Sequence, residues 1–197
     1  MTPRHIGPPP HQDDPYSKLV SPHGVPVDQL VSVLQKEIRR SHVDNAVRAA
    51  YEMLITSEAV ADHFWHRLKL IAVEDVGMGL PMAPLLVNCL HDNYRTCSGG
   101  EKIMMAVHAV RLLATAQKDR TSAEHTDLVI QLVARGEAAV EVPDYALCVH
   151  TRAGQEMGRG LMQWWENGAK VNDEFAGADH TYRERLIPIC REAEAGS

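Results

Sequence analysis

Apolar residues recur along this chain at the three- and four-residue spacing of an α-helix, and this periodicity constrains the fold more than any other feature. The first stripe consists of Val27, Leu30, Val31, Leu34 and Ile38. Residues at this spacing share one face of a helix, and an apolar face must be buried against other elements. Further stripes follow with few β-branched runs between them, so the sequence predicts an all-α fold.

The breaks between the stripes mark the ends of the predicted helices. Polar or glycine-rich segments interrupt the pattern at 41–44, 56–57, 77–81, 98–101 and 117–120. Thr121 and Glu124 have the spacing of a capping box, which predicts that Thr121 caps a sixth helix ending at Arg135. The same spacing in Thr181 and Glu184 predicts a capped helix near the C-terminus.

Composition divides the chain into three predicted regions. Residues 1–25 hold more than half of the 11 prolines and predict a flexible, extended arm. Residues 26–140 carry the stripes and predict a helical bundle, and the less regular residues 141–197 predict a C-terminal extension that packs on it. Of the 197 residues, 45% are apolar, which suffices for a sizeable core. Only 5% are aromatic, which argues against an all-β protein.

Charge and cysteine usage limit the environment and the partners. The formal net charge of −6 does not favour tight, non-specific wrapping of DNA, which needs a basic surface. No run of 18 apolar residues occurs, so no membrane helix is predicted. The four cysteines show no CxxC spacing and are expected to be reduced, as in a cytoplasmic protein. They are Cys89, Cys97, Cys148 and Cys190.

Two adjacent acids, Glu74 and Asp75, lie at the predicted C-terminal end of the third helix. The helix dipole is negative there, so exposed acids are unfavourable by roughly 0.3–1 kcal/mol each. They therefore need something to bind: backbone N–H groups, a neighbouring Arg or Lys, a metal or a reacting group. Gly77 follows and can end the helix in a left-handed conformation. We interpret Glu74, Asp75 and Gly77 as a structural corner between two helices.

The 11 histidines suggest an alternative function, a metal-dependent phosphohydrolase of the HD type. His63 and His66 share one helix face, and His91-Asp92 resembles the HD doublet. Further His and Asp ligands would have to converge from other helices, and the spacing selects none. The chain also lacks a phosphate-binding loop, a dinucleotide fingerprint and an H-E-x-x-H motif. The sequence therefore predicts no enzyme, no catalytic residue, no cofactor and no metal.

Cys148 and His150 are a thiol and a base two positions apart. In a helix, side chains at this spacing point in different directions. We therefore predict that they do not act together as a nucleophile and its base.

Lys36, Arg39 and Arg40 form a basic cluster at the end of the first helix. A solvated helix end is the favoured interpretation, and contact with a nucleic-acid backbone is the alternative. Together with Lys118 and Arg120, the cluster would serve a nucleic-acid-binding accessory protein whose affinity falls steeply with salt.

Trp164 and Trp165 form a pair in a chain that has only three tryptophans. Aromatic side chains anchor both cores and interfaces. We predict that this pair packs within an oligomer interface or a C-terminal subdomain.

Four stretches are similar, in chain order, to motifs of a single domain. Residues 35–46 (QKEIRRSHVDNA) resemble its K-S-x-R-G-S-D-x-D-A-A opening, and residues 71–77 (IAVEDVG) resemble its I-A-S-E-D-I-G signature. Gly100-Glu101 with residues 106–118 (AVHAVRLLATAQK) is similar to its G-E … A-x-A-V-I-Y-L-A-x-A-P-K helix. Val142-Pro143 with residues 157–160 (MGRG) resembles its V-P-x-H-L … L-G-Y-G-x-G end. The domain is the C-terminal collar of the replication-associated recombination protein A family, which are clamp-loader-like AAA+ ATPases.

The resemblance covers roughly residues 27 to 170 and has clear departures. The ATPase module of the family, with its Walker motifs and arginine finger, has no counterpart in the chain. Val73 replaces a Ser, Gln117 replaces a Pro, and residues 144–151 depart from the family pattern. The resemblance thus implies a free-standing, non-enzymatic helical collar domain that forms a homo-oligomer, by analogy a tetramer. It also implies a partner that is a AAA+ ATPase or another protein of DNA replication and repair.

Overall fold

The periodic stripes form a set of α-helices in the computed structural model, which describes residues 14–196. The chain divides into two compact units, Met1–Ala138 (unit 1) and Ala139–Ser197 (unit 2). The predicted all-α fold is confirmed, because residues 14–196 contain no strand beyond one isolated bridge between Val20 and Pro26. Residues 1–13 of the predicted arm lie outside the described residues.

The helices of unit 1 follow the predicted stripes closely. They are α1 (Val27–Arg39), α2 (Val43–Thr56), α3 (Glu58–Ile71), α4 (Ala83–Thr96), α5 (Gly99–Thr115) and α6 (Thr121–Arg135). Helix α2 packs against α1, α3 and α5, and α4 packs against α5. The core contains Phe64, Trp65 and Leu68 of α3, which are fully buried. Small residues of α5, including Ala106 and Ala109, are also fully buried in this core.

Helix α6 differs from the other five helices of unit 1. It contains no buried residue. Its apolar side chains Leu128, Val129, Ile130 and Val133 are exposed. Gly136 ends the helix in the left-handed conformation, as expected for a C-terminal glycine. Unit 1 therefore buries the apolar stripes of α1 to α5 and leaves that of α6 uncovered.

Unit 2 is built from shorter elements. A 3₁₀ turn (Asp144–Ala146) precedes α7 (Arg152–Glu156), and α8 (Leu161–Gln163) continues as a π-helical turn (Trp164–Gly168). The last helix is α9 (Thr181–Ala195). The apolar side chains that the unit buries are Cys148, Met162 and Cys190. Across the described residues of both units, no helix combines the length and the apolar character needed to cross a membrane.

The predicted capping boxes are wrong, and aspartates take over that role. At the start of α6, Asp119 Oδ1 accepts hydrogen bonds from Thr121 N at 2.9 Å and from Thr121 Oγ1 at 2.6 Å. Asp179 Oδ1 accepts from Thr181 N at 2.9 Å at the start of α9. Both threonines belong to the helix, so the acid two residues earlier satisfies the free N–H group.

Candidate functional site

Asp75 is the centre of the site, because its charged side chain is completely buried. The site forms where α3 continues into a π-helical turn, Ala72–Val76. Arg39 Nε of α1 donates to Asp75 Oδ1 at 2.5 Å, and Gln35 Nε2 donates to Oδ2 at 2.9 Å. Arg120 Nε lies 3.5 Å from Oδ1. A carboxylate that leaves water needs such partners, and both oxygens of Asp75 have them.

Glu74 extends this network toward the surface. Arg39 Nη2 donates to Glu74 Oε1 at 3.2 Å, and Arg120 Nη2 lies 3.7 Å from the same oxygen. Arg67 Nη2 donates to the side-chain oxygen of Gln35. Two acids are thus held between two arginines that come from different parts of the chain. This arrangement offsets the unfavourable position of both acids near a helix C-terminus.

Gly77 and Gly79 let another segment approach the corner closely. Gly77 has a φ of +48°, in the region that favours glycine. A Cβ atom there would lie 2.5 Å from the carbonyl oxygen of Asp119, and one at Gly79 would overlap the carbonyl oxygen of Gln117. Side chains at either position would push residues 117–119 away from the corner.

Residues 118–119 fasten the end of α5 and the start of α6 to the corner. Asp119 N donates to the Asp75 carbonyl oxygen at 3.1 Å, and Asp119 Oδ2 accepts from Met78 N at 3.2 Å. The hydrogen bonds from Thr121 and Met78 lower the pKa of Asp119. Lys118 Nζ donates to the carbonyl oxygens of Ala114 and Ala116, and burial lowers its pKa although Asp75 opposes the shift.

The chemistry open to Asp75 is limited, because protein groups already engage its carboxylate. Each Asp75 oxygen already accepts a hydrogen bond, and both arginines point at the acids. Among residues 14–196, no three His, Cys, Asp or Glu side chains are grouped so that they could hold a metal ion. The arrangement is suited to fixing the positions of α1, α3 and the start of α6.

A family model described as the C terminal of the MgsA AAA+ ATPase matches residues 40–182, which is more than half of the chain. The chain belongs to this family. A search of curated proteins found no match. The family assignment confirms the resemblance found in the sequence, and it concerns the C-terminal helical domain, without the ATPase module. The matched segment includes four residues of the corner, Glu74, Asp75, Gly77 and Arg120. Gln35 and Arg39 precede its first residue.

The candidate nucleic-acid contacts do not form one free basic surface. Arg39 turns inward onto Asp75 and Glu74, and Lys118 and Arg120 are also used inside unit 1. Lys36 and Arg40 are exposed; Lys36 Nζ donates to Ser32, and Arg40 donates to the Lys36 carbonyl oxygen. Nucleic-acid binding stays a prediction.

The two tryptophans of the predicted interface pack on each other inside unit 2. The ring centroids of Trp164 and Trp165 lie 4.6 Å apart in an edge-to-face arrangement. Arg183 of α9 lies over Trp165, and His150 contacts Trp164 edge-on. Both tryptophans are partly buried. They connect the π-helical turn to α9 within this unit.

Two histidines of the metal hypothesis, His63 and His91, pack on different aromatic residues. His63 stacks on Tyr16 with ring centroids 3.9 Å apart, and His91 stacks on Trp65 at 4.8 Å. Burial lowers the pKa of His63 and of His91, and nearby cations add to both shifts. His66 lies beside His63, and Asp92 is exposed. No observation in the described residues favours the phosphohydrolase alternative.

The prediction that Cys148 and His150 point apart is wrong. Cys148 Sγ lies 3.5 Å from His150 Nδ1. The spacing argument assumed a helix, but these residues form a bend and turn between the 3₁₀ turn and α7. In a turn, side chains two positions apart can meet.

Sequence reasoning also missed the part that four residues play in the corner: Gln35, Arg39, Asp119 and Arg120. A signal for Gln35 was present, because Gln35 and Arg39 are four residues apart on α1 and share a face. Arg120 and Asp119 carried no comparable signal, since they reach the corner only through the close approach at Gly77 and Gly79.

Proposed function

We propose that this chain acts as a non-enzymatic helical assembly domain. It self-associates through unit 2, by family analogy as a tetramer, and it serves a AAA+ ATPase in DNA replication or repair. The cellular setting is the cytoplasm, in keeping with four free cysteines in the described residues. The occupant proposed for the interface is a second copy of the same chain.

The observation that carries this proposal is how little apolar surface unit 2 buries. Its buried apolar side chains are Cys148, Met162 and Cys190, and none is completely inaccessible. Phe175 is 79% exposed and Tyr182 is 75% exposed. Burial of apolar surface contributes roughly 25 cal/mol per Å², so covering such side chains favours association.

Helix α9 supplies the best-defined apolar face of unit 2. Tyr182, Leu186 and Ile189 lie four and three residues apart, so they form a single stripe. All three are exposed, and Ile189 is 63% exposed. Arg183, next to Tyr182 on the same helix, lies over the Trp165 ring. The stripe has the i, i+4, i+7 pattern of helices that pair through apolar residues.

Light scattering coupled to size exclusion tests the self-association. We expect the unmodified chain to form an oligomer at micromolar concentration and Ile189→Glu to shift it toward the monomer. Met104→Glu in α5 is the matched control, because Met104 is similarly exposed at 65% but lies in unit 1. A monomeric unmodified chain at high micromolar concentration, or equal effects of the two variants, would overturn the proposal.

The association with an ATPase needs a separate measurement. We expect the oligomer to bind a purified AAA+ ATPase of the same family from which the C-terminal domain has been removed, and Ile189→Glu to weaken that binding. The control is the intact ATPase, whose own C-terminal domain competes for the same position. If both ATPase forms fail to bind while the chain still self-associates, the proposed partner is wrong and the assembly role stands.

A further inference from the structure

Cys148 and His150 form a nucleophile–base pair outside the structural corner. Sγ of Cys148 lies 3.5 Å from Nδ1 of His150, within hydrogen-bond distance for sulfur. When the imidazole carries its proton on Nε2, Nδ1 accepts the thiol proton. A thiol next to a base is activated as a nucleophile, because the base can take its proton as the sulfur attacks.

The surrounding residues hold this pair in place. The indole of Trp164 contacts the His150 ring edge-on, with centroids 5.3 Å apart. Thr151 caps α7 and donates through Oγ1 to the Cys148 carbonyl oxygen at 3.0 Å. A Cβ atom at Gly154 would overlap the Cys148 backbone, so only glycine permits this close contact. The contact with Trp164 thus restricts the imidazole, and the close approach at Gly154 fixes the backbone of the thiol.

We propose that Cys148 is a thiol-modification site for small disulfides, with His150 as its base. Cys148 Sγ attacks one sulfur of the incoming disulfide while its proton passes to His150 Nδ1. The S–S bond of the reagent breaks, a new bond joins Sγ to the attacked sulfur, and the proton passes on to the departing thiolate. The reagent is the oxidant, and the products are a mixed disulfide at Cys148 and one free thiol.

The chain offers a matched internal control in Cys190. Cys148 and Cys190 belong to the same unit, and each is 8% exposed. Cys148 has an imidazole nitrogen beside its sulfur, whereas the thiol of Cys190 makes no hydrogen bond within residues 14–196. A difference in their reactivity therefore reports the base and not the degree of burial.

The test uses the full chain and 2,2′-dithiodipyridine, a small neutral disulfide whose released thione is followed by absorbance. Mass spectrometry of quenched samples assigns each modification to its cysteine. We expect Cys148 to react at least about tenfold faster than Cys190, since a positioned base typically contributes more than this. In His150→Phe, which keeps an aromatic ring against Trp164, the rate at Cys148 should fall to that of Cys190.

Loss of folding cannot imitate this result, because unfolding exposes both thiols and accelerates both reactions. Circular dichroism of His150→Phe provides the check on structure. Equal rates at Cys148 and Cys190 in the unmodified chain would overturn the proposal. An unchanged Cys148 rate in His150→Phe would overturn it as well, since the base would then have no effect.

Discussion

Unit 1 and unit 2 have the same kind of secondary structure but bury very different amounts of apolar surface. Unit 1 closes around Leu34, Phe64 and Trp65, none of which is accessible to solvent. The apolar side chains that unit 2 buries retain some accessibility, while Phe175 and Tyr182 are largely exposed. Unit 1 is therefore held by its own buried core, whereas unit 2 has exposed apolar surface available for the self-association proposed above.

The largest expected effect comes from comparing one tryptophan of each unit. Trp65→Ala removes a completely buried ring from the core, which should lower the free energy of unfolding of unit 1 by about 3–5 kcal/mol. Trp165→Ala should leave that transition unchanged, because Trp165 packs on Trp164 and Arg183 in unit 2. Denaturant unfolding followed by circular dichroism measures both. Equal losses of stability would show that the units do not differ as argued.

The next effect separates the two acids of the corner. Asp75→Ala leaves Arg39 and Arg120 facing each other without the buried carboxylate, and should destabilise unit 1 by about 3 kcal/mol. Glu74→Ala is the control, with an expected loss below about 1 kcal/mol because Glu74 is partly solvated. The same unfolding measurement applies. A larger loss for Glu74→Ala would contradict the central position given to Asp75.

Amide hydrogen exchange at several protein concentrations gives a smaller but more local comparison. If unit 2 is covered by a second copy, the protection of α9 should rise by about 0.7 kcal/mol for a dimer, or about 1 kcal/mol for a tetramer, with each tenfold increase in concentration. Protection of α2 and α3 in unit 1 should not change, since their partners lie within the same chain. Concentration-independent protection of α9 would place its stability within the single chain.

The sequence predicted the helices of unit 1 well because their apolar periodicity and their burial are the same property. The stripe from Val27 to Ile38 became the buried face of α1. Predictions from local sequence failed where the partner of a side chain came from a distant part of the chain. Arg39 looked like a surface cation, but it meets Asp75 because α1 packs beside the end of α3.

The corner and unit 2 show why other side-chain contacts could not be predicted from the sequence. Asp119 caps α6 in place of Thr121, and its side chain also accepts a hydrogen bond from Met78 at the corner. Cys148 and His150 meet because their backbone forms a turn, a conformation that the helical spacing rule does not describe. In both cases, backbone geometry decided which side chains came together.

The smallest effect uses pH to perturb unit 1 alone. Burial, reinforced by Lys69 and Arg95, lowers the pKa of His91 from 6.5, so the unfolded chain binds the proton more readily than the folded chain. The contribution of this group to stability is therefore complete above pH 6.5 and declines as the pH falls toward the folded pKa. His63 acts in the same direction.

The melting temperature of unit 1 should fall modestly on acidification, and His91→Phe should reduce that fall while keeping a ring against Trp65. His108→Phe, at an exposed position on α5, is the control and should leave the pH dependence unchanged. If His91→Phe does not alter the pH dependence, burial of this imidazole contributes nothing to the acid sensitivity of unit 1.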